Sequence, residues 1–561
     1  MFSSFQALQQ KACPPQQSDK QSGNSFSGLS VEVAEMEQSV PLVNGRSSSK
    51  LNGGVVVVSP DHQVAAASEG TTSTAKKTNG VSGEHIISDC PSRNSPNIAN
   101  MVPRARAHRA STVSQLPPFM VSAPGKVIVY GEHAVVYGKA AIAAALSLRS
   151  YLLVTPLPKT NRTLTLNFTD ISLNHSWEID SLPWAIFSKP GKKRYYFDTV
   201  ERLDKELLET VKPLVAAIPG KVQQAAASAF LYLYLMLGSK HAPASIYTLR
   251  STIPIGAGLG SSASISVCLS TALQLQMGTL ATPFEGMLSN ETQLQMKRIN
   301  NWSFVGEMCI HGNPSGVDNT VATGGKAVLF KRTDYTLPPE VTHLTNFPEL
   351  PLLLVDTKQL RRTAEQLANV RNMLNAHPEI TQSMLDTIDR ITAEAHDVLS
   401  DPDFTSFAGS PSLARLGELI RINHGLLVSL GVSHPKLERI RELIDHTGIG
   451  WTKLTGAGGG GCSITLLKPK VKANTLEELD SKLRVEGFEK YQTTLGGDGV
   501  GVLWPAAVGD AETEITQEMF LGAEGVEGVE ALAGVGAIGK GIKGWRFWRE
   551  WIAEGSDFCL H

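Results

Sequence analysis

A glycine-rich turn lies between a predicted strand and a predicted helix near the middle of this chain. The stretch IPIGAGLGSSASISVCL runs from Ile253 to Leu269, and its three glycines alternate with apolar residues. Glycine lets a backbone adopt positive φ angles and approach a ligand closely. Because the first amides of a helix are unpaired and carry a partial positive charge, the stretch predicts an anion site, and phosphate is the common occupant of such a site.

The glycine spacing does not match two better-known phosphate loops. Gly256, Gly258 and Gly260 form GxGxG rather than GxGxxG, and no lysine follows them as it does in GxxxxGK[ST]. Ser261 stands at the predicted N-cap and Ser262 in the first turn, where a hydroxyl can cap the helix or bind a metal ion. A tight strand-to-helix turn without a ligand explains this stretch alone equally well.

A first charged motif, APGKVIVYGEHAVVYGK, lies near the start of the predicted folded region. Lys126 precedes its short apolar strand, and Glu132 and His133 follow the strand. Charged residues at the two ends of a strand are often only its solvated ends. On this motif alone, a functional and a purely structural interpretation both stay open.

A second motif, FVGEMCIHGNPSGVDNTVATGG, combines a predicted helix end with a sharp turn. Glu307 lies in the helix end, and Asp318 follows the turn at residues 313–316. An aspartate in such a place is usually a helix cap. A third motif, KLTGAGGGGC, contains glycines that allow another close approach of the backbone.

In this order and spacing, the motifs resemble those of the GHMP small-molecule kinases over about residues 118–505. Lys126 with GEHAVV, and the sequence HGNPSGVDN, are most similar to the mevalonate kinases of that family. Galactokinases instead tend to have an arginine at the position of Lys126 and GEHTDY-like residues after the strand. The resemblance implies ATP-dependent phosphorylation of mevalonate to 5-phosphomevalonate, on the route to isoprenoids and sterols.

The resemblance also implies a role for each motif residue. Asp318 would be the catalytic base that accepts the hydroxyl proton of mevalonate, and Lys126 would stabilise the transferring phosphoryl group. Ser262 and Glu307 would hold Mg²⁺, a hard cation that prefers oxygen ligands. The acceptor-binding residues would be Glu132, His133 and Thr363. The nucleotide-binding residues would be Lys126, Ser251, Gly256, Ala257, Gly258, Leu259, Gly260, Ser261 and Ser262. Where relatives often carry a nucleotide-contacting asparagine, this chain has Asp170, which leaves that contact open.

The mixture of strands and helices lacks a regular βαβ alternation, which favours an α+β fold over a doubly wound sheet. The resemblance implies an N-terminal, ATP-binding domain over residues 118–345 and a C-terminal domain over 346–505, with the active site in the cleft between them. Residues 1–117 are rich in Ser, Gln, Asn and Gly and predict a disordered extension. Residues 506–561 predict a low-complexity tail, whose WRFWREW sequence is also typical of a membrane-interface or peptide-docking element.

Composition argues against several other classes of protein. The formal net charge of -2 gives no basic excess for nucleic acid, and six scattered cysteines predict neither a zinc site nor a disulfide framework. No apolar run reaches the roughly 18–20 residues that span a bilayer. No secretory signal is visible, so we expect a cytoplasmic protein. The resemblance implies a homodimer, and it also implies inhibition by isoprenoid diphosphates that compete with ATP.

Three rival functions stay open at this point. Another GHMP kinase, such as a phosphomevalonate kinase, would differ in its acceptor. A nucleotide-binding regulatory protein without turnover is disfavoured because Lys126, Ser262, Glu307 and Asp318 are all present. A dinucleotide-dependent oxidoreductase is disfavoured by the spacing of the glycines.

Overall fold

The computed structural model describes residues 117–189, 200–284, 286–334, 339–360, 362–406, 410–508, 513–535 and 542–549. The predicted disordered extension therefore lies outside the described residues, apart from residue 117. All described residues belong to one compact unit. Across these ranges, no helix is both long enough and apolar enough to cross a membrane.

Strands and helices are mixed along the chain, which confirms the predicted α+β class. The strands are β1 (Phe119–Tyr130), β2 (Ala140–Pro156), β3 (Thr163–Phe168), β4 (Leu173–Glu178), β5 (Ser245–Ser251), β6 (Ala327–Lys331), β7 (Glu340–Leu344), β8 (Leu350–Asp356), β9 (Gly450–Leu454), β10 (Cys462–Leu467), β11 (Glu489–Leu495), β12 (Gly501–Leu503), β13 (Ala507–Val508), β14 (Thr513–Glu514) and β15 (Arg546–Phe547). The helices are α1 (Lys205–Val215), α2 (Lys221–Leu237), α3 (Ser261–Gln276), α4 (Ser289–His311), α5 (Val317–Gly324), α6 (Thr363–Ala376), α7 (Pro378–Ser400), α8 (Pro411–Ser429), α9 (Pro435–Asp445), α10 (Ala473–Val485), α11 (Gln517–Gly522) and α12 (Gly525–Ala533).

The long strand β2 joins the parts of one large sheet. Its first residues pair with β6 and its last residues with β5, while Leu146 near its middle pairs with Leu495 of β11. Its sequence, AAIAAALSLRSYLLVTP, is apolar on both faces, as expected for a strand that is buried on both sides. The sheet runs in the order β15-β12-β1-β2-β11-β8-β10-β9. It thus continues across residue 345, and the division into two domains at that point stays a prediction.

Three helices and a short fourth one position the glycine-rich turn. Helix α3 packs on β1 and β2, and α2 and α4 pack on α3. The shared core is apolar, with Phe230, Ala272 and Trp302 almost completely buried in it. Helix α5 contacts α3, α4 and β1, so its first turn lies beside the start of α3.

The C-terminal part of the chain packs on the sheet, although its composition predicts a low-complexity tail. Strand β15 pairs with β12, and Phe520 is buried in a cluster that includes Met120. Trp548 of the WRFWREW sequence is completely buried, and its indole nitrogen donates to Gln295 of α4 at 3.0 Å. The described part of the segment is therefore integral to the fold rather than an exposed docking element, and residues 550–561 lie outside the described ranges.

Candidate active site

The glycine-rich turn has the backbone that its sequence predicts. Strand β5 ends at Ser251, and Gly256, Gly258 and Gly260 adopt φ angles of 76°, 79° and 72°. Helix α3 begins at Ser261, so the N-cap is Gly260, one residue before the predicted position. Within the described residues, no side chain caps this helix. Its first amides are therefore available to a ligand that brings its own acceptor oxygens.

The positive φ angle of Gly260 favours glycine at the last position of the turn, and close packing adds to this preference. A Cβ atom on Gly260 would lie 3.1 Å from Cγ of Lys126 and 3.5 Å from Oδ2 of Asp318. The amide of Lys126 donates to the carbonyl of Leu259 at 2.8 Å. The turn, the first motif and the second motif therefore meet at one point, as the sequence predicts.

Lys126 and Asp318 form an ion pair beside the turn. Nζ of Lys126 lies 3.1 Å from Oδ1 of Asp318, and the two side chains are 10% and 30% exposed. Asp318 lies in the first turn of α5, where the partial positive charge of the helix stabilises a carboxylate. The pair is largely shielded from solvent, but Asp318 remains accessible to a small molecule.

A buried carboxylate lies next to the start of α3. Burial, followed by the nearby charge of Asp318, raises the pKa of Glu307 to about 8. Its Oε1 atom is buried and has no hydrogen-bond partner among the described residues. The hydroxyl of Ser262 hydrogen-bonds to Glu307 and lies 3.1 Å from Nε2 of His311.

This donor set fits a magnesium ion. A buried carboxylate oxygen that lacks a partner, beside a hydroxyl, offers the hard oxygen ligands that Mg²⁺ prefers. In the part of the chain that the structure describes, three or more His, Cys, Asp or Glu side chains do not gather into a metal cluster. Mg²⁺ usually binds one or two protein oxygens and takes its other ligands from phosphates and water.

Comparisons with known proteins agree with this arrangement. The family described as "GHMP kinases N terminal domain" matches residues 222–326, and "GHMP kinases C terminal" matches residues 407–482. A mevalonate kinase of Aspergillus fumigatus is 59% identical, over 73% of this chain and 78% of that protein. The mevalonate kinase of Gibberella zeae is 56% identical, over 75% of this chain and 86% of that protein. The Saccharomyces cerevisiae mevalonate kinase is 39% identical, over 69% and 89%.

The chain belongs to the mevalonate kinase family. It is therefore an enzyme of the phosphotransferase class with the GHMP kinase fold, and the resemblance noted in its motifs is confirmed. The comparisons do not assign roles to single residues.

Glu132 lies in a closed, fully buried environment. Its Oε1 pairs with Nζ of Lys453, and its Oε2 accepts a hydrogen bond from Nδ2 of Asn423 at 3.0 Å. These contacts tie the first motif to β9 and α8 of the C-terminal half. Because both carboxylate oxygens are engaged, the arrangement supports a structural role, and acceptor binding by Glu132 stays a prediction.

His133 connects the first motif to the third, glycine-rich motif. It has a φ angle of 61°, unusual for a residue other than glycine, and its Nε2 lies 2.9 Å from the carbonyl oxygen of Ala457. Burial lowers the pKa of His133, which favours a neutral ring. Its Nδ1 is buried without a hydrogen-bond partner among the described residues. A ring nitrogen of this kind can hydrogen-bond to a polar substrate. Binding of the phosphoryl acceptor by His133 stays a prediction.

Two further predicted contacts lie at element ends. Thr363 is the exposed first residue of α6. Asp170 follows β3 and accepts a hydrogen bond from the amide of Ser251 at 2.7 Å. The Asp170 carboxylate thus lies at the end of β5, beside the residue expected to contact nucleotide.

Sequence reasoning missed His311, Asn423 and Lys453. His311 is in the quoted HGNPSGVDN sequence, and its i,i+4 spacing from Glu307 on one helix could have revealed it. Lys453 begins the third motif, but nothing in its neighbours along the chain indicates a buried partner 321 residues away. Asn423 lies within an amphipathic helix and has no local signal of this kind.

Proposed function

We propose that this chain transfers the γ-phosphoryl group of ATP to the primary hydroxyl of mevalonate and forms 5-phosphomevalonate for isoprenoid and sterol synthesis. The mevalonate kinases of Aspergillus fumigatus and Gibberella zeae, at 59% and 56% identity, support the substrates. The observation that carries the proposal is the meeting of Lys126 and Asp318 at Gly260. An ammonium group, a carboxylate and unpaired helix amides are the parts that phosphoryl transfer to an alcohol requires.

Asp318 is the proton acceptor in this proposal. Its carboxylate accepts the proton of the attacking hydroxyl as the new phosphorus–oxygen bond forms and the bond to ADP breaks. This carboxylate lies in the first turn of α5, and its Oδ1 is 3.1 Å from Nζ of Lys126. Lys126 also stabilises the negative charge on the phosphoryl oxygens, because its ammonium group lies in a partly buried, low-dielectric site.

The glycine-rich turn and the start of α3 hold the triphosphate. Amides of the residues from Gly256 to Ser262 supply hydrogen bonds to phosphate oxygens, and the helix N-terminus adds a partial positive charge. Ser251, at the end of β5, contacts the nucleotide. Ser262 and Glu307 would hold Mg²⁺, which neutralises phosphate charge when it is bound.

An acceptor panel tests this function with the purified full-length chain. ADP release is measured with ATP, Mg²⁺ and either mevalonate, phosphomevalonate, galactose or homoserine, and the product is examined by ³¹P NMR. We expect mevalonate to give the highest kcat/KM and a phosphate monoester on carbon 5. A preference for phosphomevalonate would indicate a different GHMP kinase. ATP binding without ADP release for any acceptor would indicate a regulatory nucleotide-binding protein.

Three further properties stay predictions. These are the homodimer, the inhibition by isoprenoid diphosphates and the cytoplasmic location. Light scattering of the full chain measures the first, and competition between geranylgeranyl diphosphate and ATP in the ADP-release assay measures the second. Fluorescence microscopy of a tagged chain in its host measures the third.

A further inference from the structure

A C-terminal segment lies against the strand that leads into the glycine-rich turn. The segment consists of residues 513–535 and 542–549, and the reaction proposed above does not use it. Phe520 and Val529 of the segment share an apolar cluster with Tyr151 and Leu153 of β2, the strand that pairs with β5. The segment therefore lies one strand away from the residue expected to contact nucleotide.

Arg250 connects this segment to β5. Its Nη1 donates to the carbonyl oxygens of Phe520 and Leu521 at 3.1 Å and 3.2 Å. These carbonyls lie at the end of α11, where the partial negative charge of a helix favours a cation. The Arg250 side chain is largely buried, so its position is fixed by these contacts rather than by solvent.

Asp170 continues the connection from Arg250 to Ser251. Its Oδ1 lies 3.5 Å from Nε of Arg250, and its Oδ2 accepts from the amide of Ser251 at 2.7 Å. Burial raises the pKa of Asp170, so its charged form depends on these two partners. The carbonyls of α11, Arg250, Asp170 and the Ser251 amide thus form one continuous chain of polar contacts.

A second contact reaches the residue on the other side of Ser251. Glu530 of α12 accepts hydrogen bonds from the hydroxyl of Tyr151, at 3.0 Å to each carboxylate oxygen. Glu530 also lies close to the side chain of Thr252, which partly offsets the rise that burial causes in the pKa of Glu530. The C-terminal segment therefore bonds the residue immediately before Ser251 and lies close to the residue immediately after it.

We propose that the C-terminal segment positions the nucleotide site, and that it acts through Arg250 and Asp170 on Ser251. This inference rests on the proposed function, in which Ser251 contacts the nucleotide. Arg250 and Asp170 are positioning residues, since they hold the backbone that touches ATP. Lys126 and Asp318 lie at the far end of the glycine-rich turn, so the acceptor and the proton transfer depend much less on the segment.

Arg250→Met in the full-length chain tests the inference. The variant removes both hydrogen bonds to α11 and the ion pair with Asp170. We expect KM for ATP to rise roughly tenfold, with kcat and KM for mevalonate within about twofold of the parent, because misplacement of a binding group weakens its own ligand most. Direct titration with a fluorescent ATP analogue in the absence of mevalonate should show the same weakening.

Asp170→Asn and the double variant Arg250→Met/Asp170→Asn test the route. If both residues act on Ser251 in series, the double variant binds the ATP analogue no more weakly than Arg250→Met alone. Additive losses would overturn the route through Asp170. Because Asp170→Asn keeps the shape of the side chain, this variant can test the inference by itself if Arg250→Met fails to fold.

Trp548→Phe is the matched control, because it loosens the same segment at Gln295, away from Ser251. We expect it to lower the melting temperature and to leave ATP-analogue affinity unchanged. If Arg250→Met behaves like this control, with a lower melting temperature and parental affinity, the segment only stabilises the fold and the inference is wrong. If the parent chain binds the analogue but does not phosphorylate mevalonate, the proposed function fails, while the binding data still decide the inference.

Discussion

Two of the lysine–carboxylate pairs at the first motif differ in what surrounds them. Lys126 and Asp318 are 3.1 Å apart and partly exposed, beside a glycine-rich turn with unpaired amides. Lys453 and Glu132 have completely buried side chains, and Asn423 occupies the second oxygen of Glu132. The same two types of charge thus form one pair that a substrate can reach and one that holds distant segments together. Solvent accessibility and the number of engaged carboxylate oxygens, rather than residue type, separate the open pair from the closed one.

The largest expected effect is on the accessible pair. Asp318→Asn removes the proton acceptor but keeps the size of the side chain. We expect kcat for mevalonate phosphorylation to fall about 10³-fold, within the range of a lost general base. The melting temperature should change little. Turnover close to that of the parent would show that Asp318 is not the proton acceptor. The contrast between an accessible, catalytic pair and a closed, structural pair would then be wrong.

The closed pair should respond in stability instead of turnover. Lys453→Met leaves the Glu132 carboxylate buried without its cation, and we expect the free energy of unfolding to fall by about 3–5 kcal/mol. Urea denaturation measures this loss. In Lys453→Met/Glu132→Gln no unpaired charge remains, so much of the stability should return. If Lys453→Met is as stable as the parent but has lost its affinity for mevalonate, Lys453 and Glu132 belong to the acceptor site instead.

Lys126→Met tests the second member of the accessible pair. The substitution keeps much of the apolar stem and removes the ammonium group. We expect kcat to fall about 10²-fold, as for other lost groups that stabilise transition-state charge. Circular dichroism of the variant should match that of the parent. If Lys126→Met instead lowers the free energy of unfolding as much as Lys453→Met is expected to, both pairs are structural.

A third carboxylate, the buried Glu307, sharpens the comparison because no lysine of the described residues forms an ion pair with it. Its pKa of about 8 in the folded state lies above the ordinary value of 4.5. Between these values the folded chain binds more protons than the unfolded chain, so stability falls as the pH rises from 4.5 to 8. The variant Glu307→Gln lacks this loss of stability. We expect its free energy of unfolding to exceed that of the parent by about 1–3 kcal/mol between pH 5 and pH 8.

Denaturation of the parent and Glu307→Gln across this pH range, both without nucleotide, measures the difference. Added Mg²⁺ and ADP should reduce the advantage of the variant at pH 8, since a bound cation compensates the charge of Glu307. A constant difference between the two proteins at all pH values would show that Glu307 does not titrate in this range.

The glycine-rich turn could be predicted from the sequence because its geometry is local. Positive φ angles at Gly256, Gly258 and Gly260 and a helix start directly after them depend on neighbouring residues. The N-cap is Gly260, one residue before the predicted serine, and its φ angle of 72° favours glycine, while Lys126 packs closely against the same position. Local propensity alone favours a serine there.

The C-terminal segment could not be predicted in the same way. Its glycine- and alanine-rich sequence has too little local pattern to indicate packing, and the composition is typical of a tail. Burial of Phe520 and Trp548 depends on apolar surfaces and partners that β1, β2 and α4 provide. Only the folded sheet brings those surfaces together.

The sequence by itself determined the glycine-rich turn with its helix start and the mixture of strands and helices, because each depends on short stretches of chain. The tertiary structure decided which carboxylate is reachable and which is closed. Glu132 meets Lys453, 321 residues further along the chain, and Ser251 meets the C-terminal segment through Arg250. Burial and partner choice come from elements distant in the chain, so they become fixed only when the sheet and its helices pack.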